Sequence, residues 1–316
     1  MKIIFMGSPE AVIAPLKYLI ENAKDHGHEV IGVISQPAKP VGRKKQLTDP
    51  PVAAFAKEAG ILCLQPAKAS SEDFLVDFKA LDPDIVITAA YGQILSDKFL
   101  AIPNRATINI HPSDLPKYRG ATPVPACLLD GLKETAISVL FTVKKLDAGN
   151  IILQQNKKIQ KYETAGELTH RLFLESSALQ FDALKMLENL DFVGTPQDES
   201  LMTFCKKIDK ADGQVDWNKS SQTILNRFLA YEPWPGTYTF LNGKRINLSQ
   251  IEANDDTHSL KAGEVLFDKP DKSLIVGTGS GNLKILKLKP AGGKVVDAPS
   301  FWNGIKDKNN VTFADC

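Results

Sequence analysis

Residues 2–34 read KIIFMGSPEAVIAPLKYLIENAKDHGHEVIGVI, and this stretch decides the fold. Lys2–Met6 is a short apolar run that ends at Gly7. Ala11–Asn22 has the apolar spacing of an amphipathic helix, and Val30–Ile34 is again apolar and β-branched. A strand, a helix and a second strand in this order are typical of an α/β sheet that is mostly parallel, with helices on both faces.

The same alternation continues along the chain. The predicted helices are Pro51–Ala59 and Ser71–Leu81, and the predicted strands are Ile61–Leu64, Asp84–Ala89, Thr107–His111, Ala136–Val143 and Ile151–Ile159. Thr164 and Glu167 have the spacing of a capping box, which predicts that a long helix begins there. The polar run Gly194–Ser200 contains Gly and Pro, which predicts a linker.

After about residue 206 the apolar runs are short and are separated by turns that contain glycine. They are Thr237–Leu241, Arg245–Ile251, Glu264–Phe267, Leu274–Gly277 and Leu283–Leu288. Asn242-Gly243 lies between the first two and predicts a two-residue hairpin turn. This part of the chain therefore predicts a small β-barrel or sandwich. We expect a first domain over residues 1–190, a linker over 191–206 and a second domain over 207–316.

The composition limits the possible functions. The 316 residues carry a net charge of +1, so the charge of the whole chain does not favour a nucleic acid partner, although a local basic patch could still bind one. No stretch approaches the roughly 18–20 apolar residues of a membrane helix, so we expect no membrane association. The histidines and the four cysteines have no metal-ligand spacing, and we expect free thiols in a cytoplasmic protein at Cys63, Cys127, Cys205 and Cys316.

The strand Ala106–His111 carries the most informative pair of side chains. Asn109 and His111 are two residues apart, so they share one face of the strand, with Cα atoms about 6.6–6.8 Å apart. Pro112 ends the strand, and ligands of open α/β sheets bind at the carboxyl ends of strands. An amide can donate to an oxyanion, and an imidazole can transfer a proton near neutral pH. The alternative is that loop backbone satisfies both side chains.

Two later features of the chain could also carry function. The segment Ser113–Pro123 contains several prolines and Gly120, which predicts a rigid non-helical loop of the kind that often carries function. Asp147 follows the strand Ala136–Val143 and could orient an imidazole or help to take its proton. The alternative for Asp147 is an aspartate that begins a turn before the next glycine.

The segment Gln36–Gln46 is basic. It carries four positive charges, and these are Lys39, Arg43, Lys44 and Lys45. Two prolines and a glycine prevent a regular helix, so we expect an exposed loop that suits contacts with phosphate groups. The alternative is an ordinary solvated loop.

Together these segments resemble the 10-formyltetrahydrofolate-dependent formyltransferase family. The similar motifs are an Asn-x-His strand end at Asn109 and His111, a Ser-x-Leu-Pro-x-Tyr-Arg-Gly loop at Ser113–Gly120 and an Asp-x-Gly at Asp147–Gly149. Other stretches resemble the branch that formylates methionyl-tRNA, and these are Gln36–Lys45, Lys207–Trp217, Pro233–Gly236 and Leu288–Gly293. The resemblance covers nearly the whole chain. Asp114 departs from the pattern, because the family usually has Leu there.

The resemblance implies transfer of a formyl group from 10-formyltetrahydrofolate to the α-amino group of methionine on initiator methionyl-tRNA, for translation initiation. It implies a Rossmann-like catalytic domain followed by an OB-like β-barrel that binds tRNA. The implied residues are Asn109, His111 and Asp147 for catalysis, Ser113, Asp114, Leu115 and Pro116 for folate, and Lys39, Arg43, Lys44 and Lys45 for tRNA. It implies no metal, and we expect a monomer.

Two alternatives remain open from the sequence. One is a formyl-folate enzyme that acts on a small amine, glycinamide ribonucleotide or an amino sugar nucleotide, which would have no evident use for the basic loop. The other is a non-catalytic RNA-binding protein with a degenerate enzyme core, and the intact Asn, His and Asp set argues against it. Formylation of charged initiator tRNA, compared with charged elongator methionine tRNA, distinguishes these readings.

Overall fold

The structure is a computed structural model, and it describes residues 1–42, 44–254 and 259–314. The strands of the first sheet are β1 (Lys2–Gly7), β2 (Glu29–Ile34), β5 (Cys63–Leu64), β6 (Ile85–Ala89), β7 (Ala106–His111), β8 (Glu134–Phe141) and β9 (Ile151–Lys158). A separate two-stranded hairpin consists of β3 (Lys39–Val41) and β4 (Gln46–Thr48). The strands of the second sheet are β10 (Thr237–Leu241), β11 (Lys244–Asn254), β12 (Val265–Asp268), β13 (Ser273–Gly277), β14 (Asn282–Pro290) and β15 (Val296–Asp297).

The helices are interspersed with these strands. They are α1 (Ile13–Asn22), α2 (Pro51–Glu58), α3 (Glu72–Ala80), α4 (Asp97–Leu100), α5 (Pro123–Leu129), α6 (Ala165–Met186), α7 (Ser221–Tyr231) and α8 (Ala298–Asn303). Short 3-10 helices lie at Glu10–Val12, Lys24–His26, Glu199–Leu201 and Lys210–Gly213. Within the described ranges, none of the helices is both long and apolar enough to cross a bilayer.

The first sheet has the strand order β5-β2-β1-β6-β7-β8-β9. The five strands from β5 to β7 run parallel, and β8 and β9 are antiparallel to their neighbours. Every residue of β6 is buried, as expected for a central parallel strand that is covered on both faces. Phe78 of α3 and Phe99 of α4 stack with ring centroids 4.4 Å apart in the core beside it. The predicted mostly parallel α/β sheet is therefore confirmed.

The long helix α6 begins where the capping box predicts. The Thr164 backbone N–H and hydroxyl donate to Glu167 Oε2 at 2.9 and 2.7 Å, and the Glu167 N–H donates to Thr164 Oγ1 at 3.3 Å. These bonds satisfy backbone donors that have no partner inside the helix. The local sequence thus fixes the first turn of α6.

The second sheet closes into a small barrel. Its order is β10-β11-β14-β13-β12, with β15 on β14. Residues 311–314 connect the two edges: Ala314 exchanges backbone hydrogen bonds with Phe240 of β10, and Val311 accepts from Val265 of β12. Asn242 and Gly243 both have positive φ angles, 51° and 72°, as the predicted two-residue turn requires. The closed antiparallel barrel confirms the predicted fold class of this part of the chain.

The described chain divides into two compact units. The first comprises Met1–Pro123, Glu134–Lys158 and Thr169–Cys205, and the second comprises Val124–Lys133, Ile159–Leu168 and Lys206–Cys316. The chain therefore passes between the units more than once. The division into 1–190, 191–206 and 207–316 remains a prediction about the boundaries.

Candidate active site

Strand β7 places Asn109 and His111 side by side, while Ile108 and Ile110 of the same strand are buried apolar residues. Thr88 on the neighbouring strand β6 pairs with Asn109, and its hydroxyl donates to Asn109 Oδ1 at 2.9 Å. The same hydroxyl lies 3.0 Å from the Ile108 carbonyl oxygen and shares its one proton between the two acceptors. The amide nitrogen of Asn109 points away from Thr88. The amide is therefore oriented as a hydrogen-bond donor toward the site.

Asp147 reaches this pair from the loop between β8 and β9. The loop leaves the sheet beside the start of β7, where the Thr142 N–H donates to the Thr107 carbonyl at 2.8 Å. Asp147 Oδ1 nevertheless accepts from Asn109 Nδ2 at 3.4 Å, so the loop folds back along β7. Asp147 Oδ2 accepts from the Gly120 N–H at 2.8 Å. The structure thus brings Asn109, His111 and Asp147 together, as the family resemblance implies.

The contacts of His111 indicate which of its ring nitrogens donates a hydrogen bond. Nε2 lies 3.0 Å from the Tyr118 carbonyl oxygen, which can only accept, so Nε2 carries a proton. Nδ1 lies 3.8 Å from Asp147 Oδ2, and both side chains are nearly buried, with 6% and 12% of their surfaces exposed. Nδ1 is therefore the ring nitrogen that faces the Asp147 carboxylate.

Gln197 and Arg119 hold the backbone of the Asp147 loop through hydrogen bonds. Gln197 Nε2 donates to the Asp147 carbonyl at 2.8 Å and to the Gly149 carbonyl at 2.7 Å. Gln197 Oε1 accepts from Arg119, whose side chain is fully buried and also pairs with Glu199. Arg119 and Lys145 lower the pKa of Glu199 to about 2, mainly through hydrogen bonds.

The loop that the family resemblance assigns to folate binding lies directly after β7. Ser113 is fully buried, its hydroxyl donates to the Lys117 carbonyl at 3.1 Å, and Leu115 is also buried. Asp114 and Pro116 are half-buried, and the Leu115–Pro116 peptide bond is cis. Ser113 and Leu115 therefore maintain the shape of the loop, and Asp114 and Pro116 are its more accessible members.

The basic segment forms the exposed hairpin β3–β4 rather than an irregular loop. Lys39 lies on β3, and Lys44 and Lys45 lie in its exposed turn. Arg43 lies outside the described residues. The base of the hairpin is held by Gln65, whose Nε2 donates to the Gln36 carbonyl at 3.1 Å and to Asp49 Oδ1 at 2.9 Å. Hydrogen bonds from Lys57 and Gln65 lower the pKa of Asp49.

Among the described residues, no three His, Cys, Asp or Glu side chains are grouped as a metal ion would require. Cys63, Cys127 and Cys205 are free thiols, and Cys316 lies outside the described residues. Burial is the main cause that raises the pKa of Cys205 to about 11, and the charge of Asp147 adds to it. The Cys205 thiol is therefore less ionised at neutral pH than an ordinary exposed cysteine.

Several residues of the site have no individual signal in the sequence. Thr88, Arg119 and Gln197 act through hydrogen bonds to residues far along the chain, and the Tyr118 carbonyl bonds to the nearer His111. Tyr118 and Arg119 both lie in the Tyr-Arg-Gly part of the family motif, which indicates the loop but not their individual contacts. Gln197 lies in a polar run with Gly and Pro, a composition that also describes linkers.

This α/β sheet with its Asn, His and Asp cluster, followed by a small barrel, belongs to a class of enzyme, the formyl transferases. A profile described as formyl transferase matches residues 1–183. A second profile, described as the formyl transferase C-terminal domain, matches residues 207–306.

Individual relatives within this class are methionyl-tRNA formyltransferases. The methionyl-tRNA formyltransferase of Ruminiclostridium cellulolyticum is 38% identical over 308 residues, which cover 97% of each chain. The chain belongs to the methionyl-tRNA formyltransferase family within the formyl transferases.

Solved structures agree on the fold. Methionyl-tRNA formyltransferase from Clostridium thermocellum superposes with a TM-score of 0.56 at 15% identity, covering 81% of this chain and 95% of that one. HypX from Aquifex aeolicus in complex with tetrahydrofolic acid gives a TM-score of 0.64 at 19% identity, covering 99% of this chain and 50% of that one. This chain thus spans half of the length of HypX. At these identities both likenesses concern the fold alone.

Proposed function

We propose that the protein transfers the formyl group of 10-formyltetrahydrofolate to the α-amino group of methionine on initiator methionyl-tRNA, for translation initiation. The observation that carries this proposal is the similarity to a methionyl-tRNA formyltransferase along 97% of both chains, with Asn109, His111 and Asp147 assembled in one cluster. A formyltransferase acting on a small amine would share the cluster but not the full-length similarity. That alternative is therefore less well supported.

The reaction moves one acyl group between two nitrogens. The amine of methionine attacks the formyl carbon, and a tetrahedral oxyanion forms. The bond from that carbon to the folate nitrogen then breaks, and a proton passes from the attacking amine to the leaving folate nitrogen. The product amide stays on the tRNA, and tetrahydrofolate leaves. No net oxidation or reduction takes place.

Each member of the cluster fits one requirement of this reaction. Asn109 has its amide oxygen fixed by Thr88, so its NH₂ group can donate to the oxyanion. His111, protonated at Nδ1, can donate a second hydrogen bond or a proton, because Nε2 is already bonded to Tyr118. Asp147 stabilises the imidazolium and assists removal of the amine proton, either directly or through a water molecule. One oxyanion donor in such sites lowers the barrier by about 2.7–4 kcal/mol.

The binding residues follow the same proposal. The loop of Ser113, Asp114, Leu115 and Pro116 contacts the folate, with Asp114 and Pro116 as its accessible members. The hairpin β3–β4 supplies positive charge for phosphate groups of the tRNA through Lys39, Arg43, Lys44 and Lys45. We assign formyl transfer to residues 1–190 and tRNA contacts to 207–316, which the ranges of the two family profiles support. We further propose a cytoplasmic monomer, because the tRNA substrate is cytoplasmic and one chain supplies the entire cluster.

The deciding experiment is formylation of charged initiator tRNA by the wild-type protein and by His111→Ala, with charged elongator methionine tRNA as the comparison. We expect the wild type to prefer the initiator and the variant to lose about 10²–10⁴-fold in turnover, with tRNA binding nearly unchanged. A variant within threefold of the wild-type turnover would remove His111 from the mechanism. A wild type that formylates glycinamide ribonucleotide or an amino sugar nucleotide in place of methionyl-tRNA would overturn the proposed substrate.

A further inference from the structure

The segment 194–205, which the sequence assigns to a linker, contacts the catalytic cluster directly. Thr195 exchanges two backbone hydrogen bonds of 2.8 Å with Ile151, the first residue of β9. At the other end of the segment, the Cys205 N–H donates to the Arg119 carbonyl at 2.8 Å, and the Arg119 N–H donates to the Thr203 carbonyl at 2.9 Å. The segment is therefore attached at both ends to elements of the first unit.

Gln197 lies between these two attachments. Its amide can adopt one orientation only, because Arg119 offers only donors to one side and two backbone carbonyls offer only acceptors on the other. Arg119 Nε and Nη2 lie 3.1 and 2.7 Å from Gln197 Oε1. All the described polar contacts of Gln197 thus serve to hold the Asp147 loop against the buried arginine.

Asp147 needs such support because of its backbone. Its φ angle of 49° lies in the left-handed region, which is unfavourable for a residue with a side chain even though aspartate adopts it more readily than most. The conformation turns the carboxylate toward Gly120, Asn109 and His111. It persists only when surrounding contacts impose it. Gln197 supplies two of those contacts through the carbonyls of Asp147 and Gly149.

We propose that Gln197 is a positioning residue, which keeps Asp147 in place beside His111 while Arg119 fixes the Gln197 side chain. The inference rests on the proposed function, in which Asp147 takes part in formyl transfer. It also means that part of the apparent linker belongs to the active site. Gln197 itself touches no reacting atom and acts through Asp147.

The first test is Gln197→Glu in the full-length protein. This change keeps an acceptor for Arg119 but places a carboxylate oxygen against the two carbonyls, so the support of Asp147 is lost while the buried arginine keeps a partner. We expect turnover to fall at least tenfold, with the Michaelis constants for folate and tRNA within threefold of wild type. Gln197→Ala is the second variant, in case the first folds poorly. Gln155→Ala, an exposed glutamine on β9, is the matched control.

The second test is a double-mutant cycle with Asp147→Asn. If Gln197 acts through Asp147, then Gln197→Ala should cost little further turnover once Asp147→Asn is present. A merely structural role would give two losses that multiply. Multiplicative losses, or turnover of both Gln197 variants within twofold of wild type, would overturn the inference.

Crystal structures of the wild type and of Gln197→Ala give a readout that needs no activity. We expect the Asp147 carboxylate to move out of hydrogen-bond distance of the Gly120 N–H in the variant. An Asp147 that stays in place would refute the positioning role. By contrast, a wild type without activity on methionyl-tRNA would refute the proposed function, and these structures would still decide the role of Gln197.

Discussion

Replacing Asp147 by asparagine removes one charge and almost no volume. Both carboxylate oxygens of Asp147 currently accept from donors, Gly120 on one side and Asn109 on the other. An asparagine amide has only one oxygen, so at one of these contacts two hydrogen-bond donors would face each other. The stronger change concerns His111, because its imidazolium would lose the negative charge beside it.

The loss of turnover follows from the distance between the two charged groups. His111 Nδ1 and Asp147 Oδ2 are 3.8 Å apart, and the side chains are largely buried. Two unit charges at that separation attract by about 4 kcal/mol at an effective dielectric constant of about 20. Since about 1.4 kcal/mol corresponds to a factor of ten, the loss of this attraction in the transition state lowers turnover by about 10³-fold. The fold should change little, because the shape of the side chain is kept.

The assay is steady-state formylation of charged initiator tRNA, with thermal unfolding measured on the same samples. Asp182→Asn is the control, because Asp182 is an exposed aspartate on α6. We expect the control to retain wild-type turnover and Asp147→Asn to unfold within a few degrees of wild type. A turnover within threefold of wild type for Asp147→Asn would refute the reasoning and leave Asp147 as a turn residue.

Further changes test the hairpin, the Asp147 loop and the buried thiol. Lys44→Ala and Lys45→Ala should each weaken tRNA binding and reduce the slope of log affinity against log salt by up to about 0.9, measured by salt titration; an altered folate Michaelis constant would instead assign the hairpin to the folate pocket. Gly149→Ala should lower both thermal stability and turnover, because the new Cβ would lie 1.8 Å from the Phe141 carbonyl oxygen, and wild-type values for both would contradict this packing. Cys205, with its pKa raised to about 11, should react with iodoacetamide roughly two orders of magnitude more slowly than an ordinary thiol at pH 8, and the rate should rise about tenfold per pH unit up to pH 10. Peptide mass spectrometry measures that rate, and a plateau below pH 9 would contradict the raised pKa.

Local sequence patterns were sufficient to predict the main helices and strands. The apolar runs of β1, β6 and β7 predict buried parallel strands, and Thr164 with Glu167 predicts the start of α6. The period of two along β7 also places Asn109 and His111 on one face. In each case the signal and the structure that it predicts lie within a few residues of each other.

Features that depend on distant residues were not predicted. Gln197 meets Asp147 across 50 positions of sequence, and its polar neighbours resemble those of any linker. The hairpin β3–β4 was expected as a loop, because its two prolines and a glycine prevent a regular helix. Pro40 lies in β3, although it lacks the N–H that a strand interior uses. In a ribbon of two strands both strands are edges, so a proline is tolerated there. The proximity of Asp147 to β7 followed from the family resemblance, since its loop folds back in a way that no local pattern indicates.

Gln65 bonds to the residues that flank both ends of the β3–β4 hairpin, Gln36 and Asp49, so the tip of the hairpin can change without moving its base. For a loop anchored at its two ends, doubling the length costs only about 0.6 kcal/mol of closure entropy. Insertions between Val41 and Gln46 would therefore change how far the positive charges extend, while the catalytic strands keep their register. A longer hairpin between Gln36 and Asp49 would therefore alter RNA selectivity under the proposed function, while the strands that carry the catalytic residues stay unchanged.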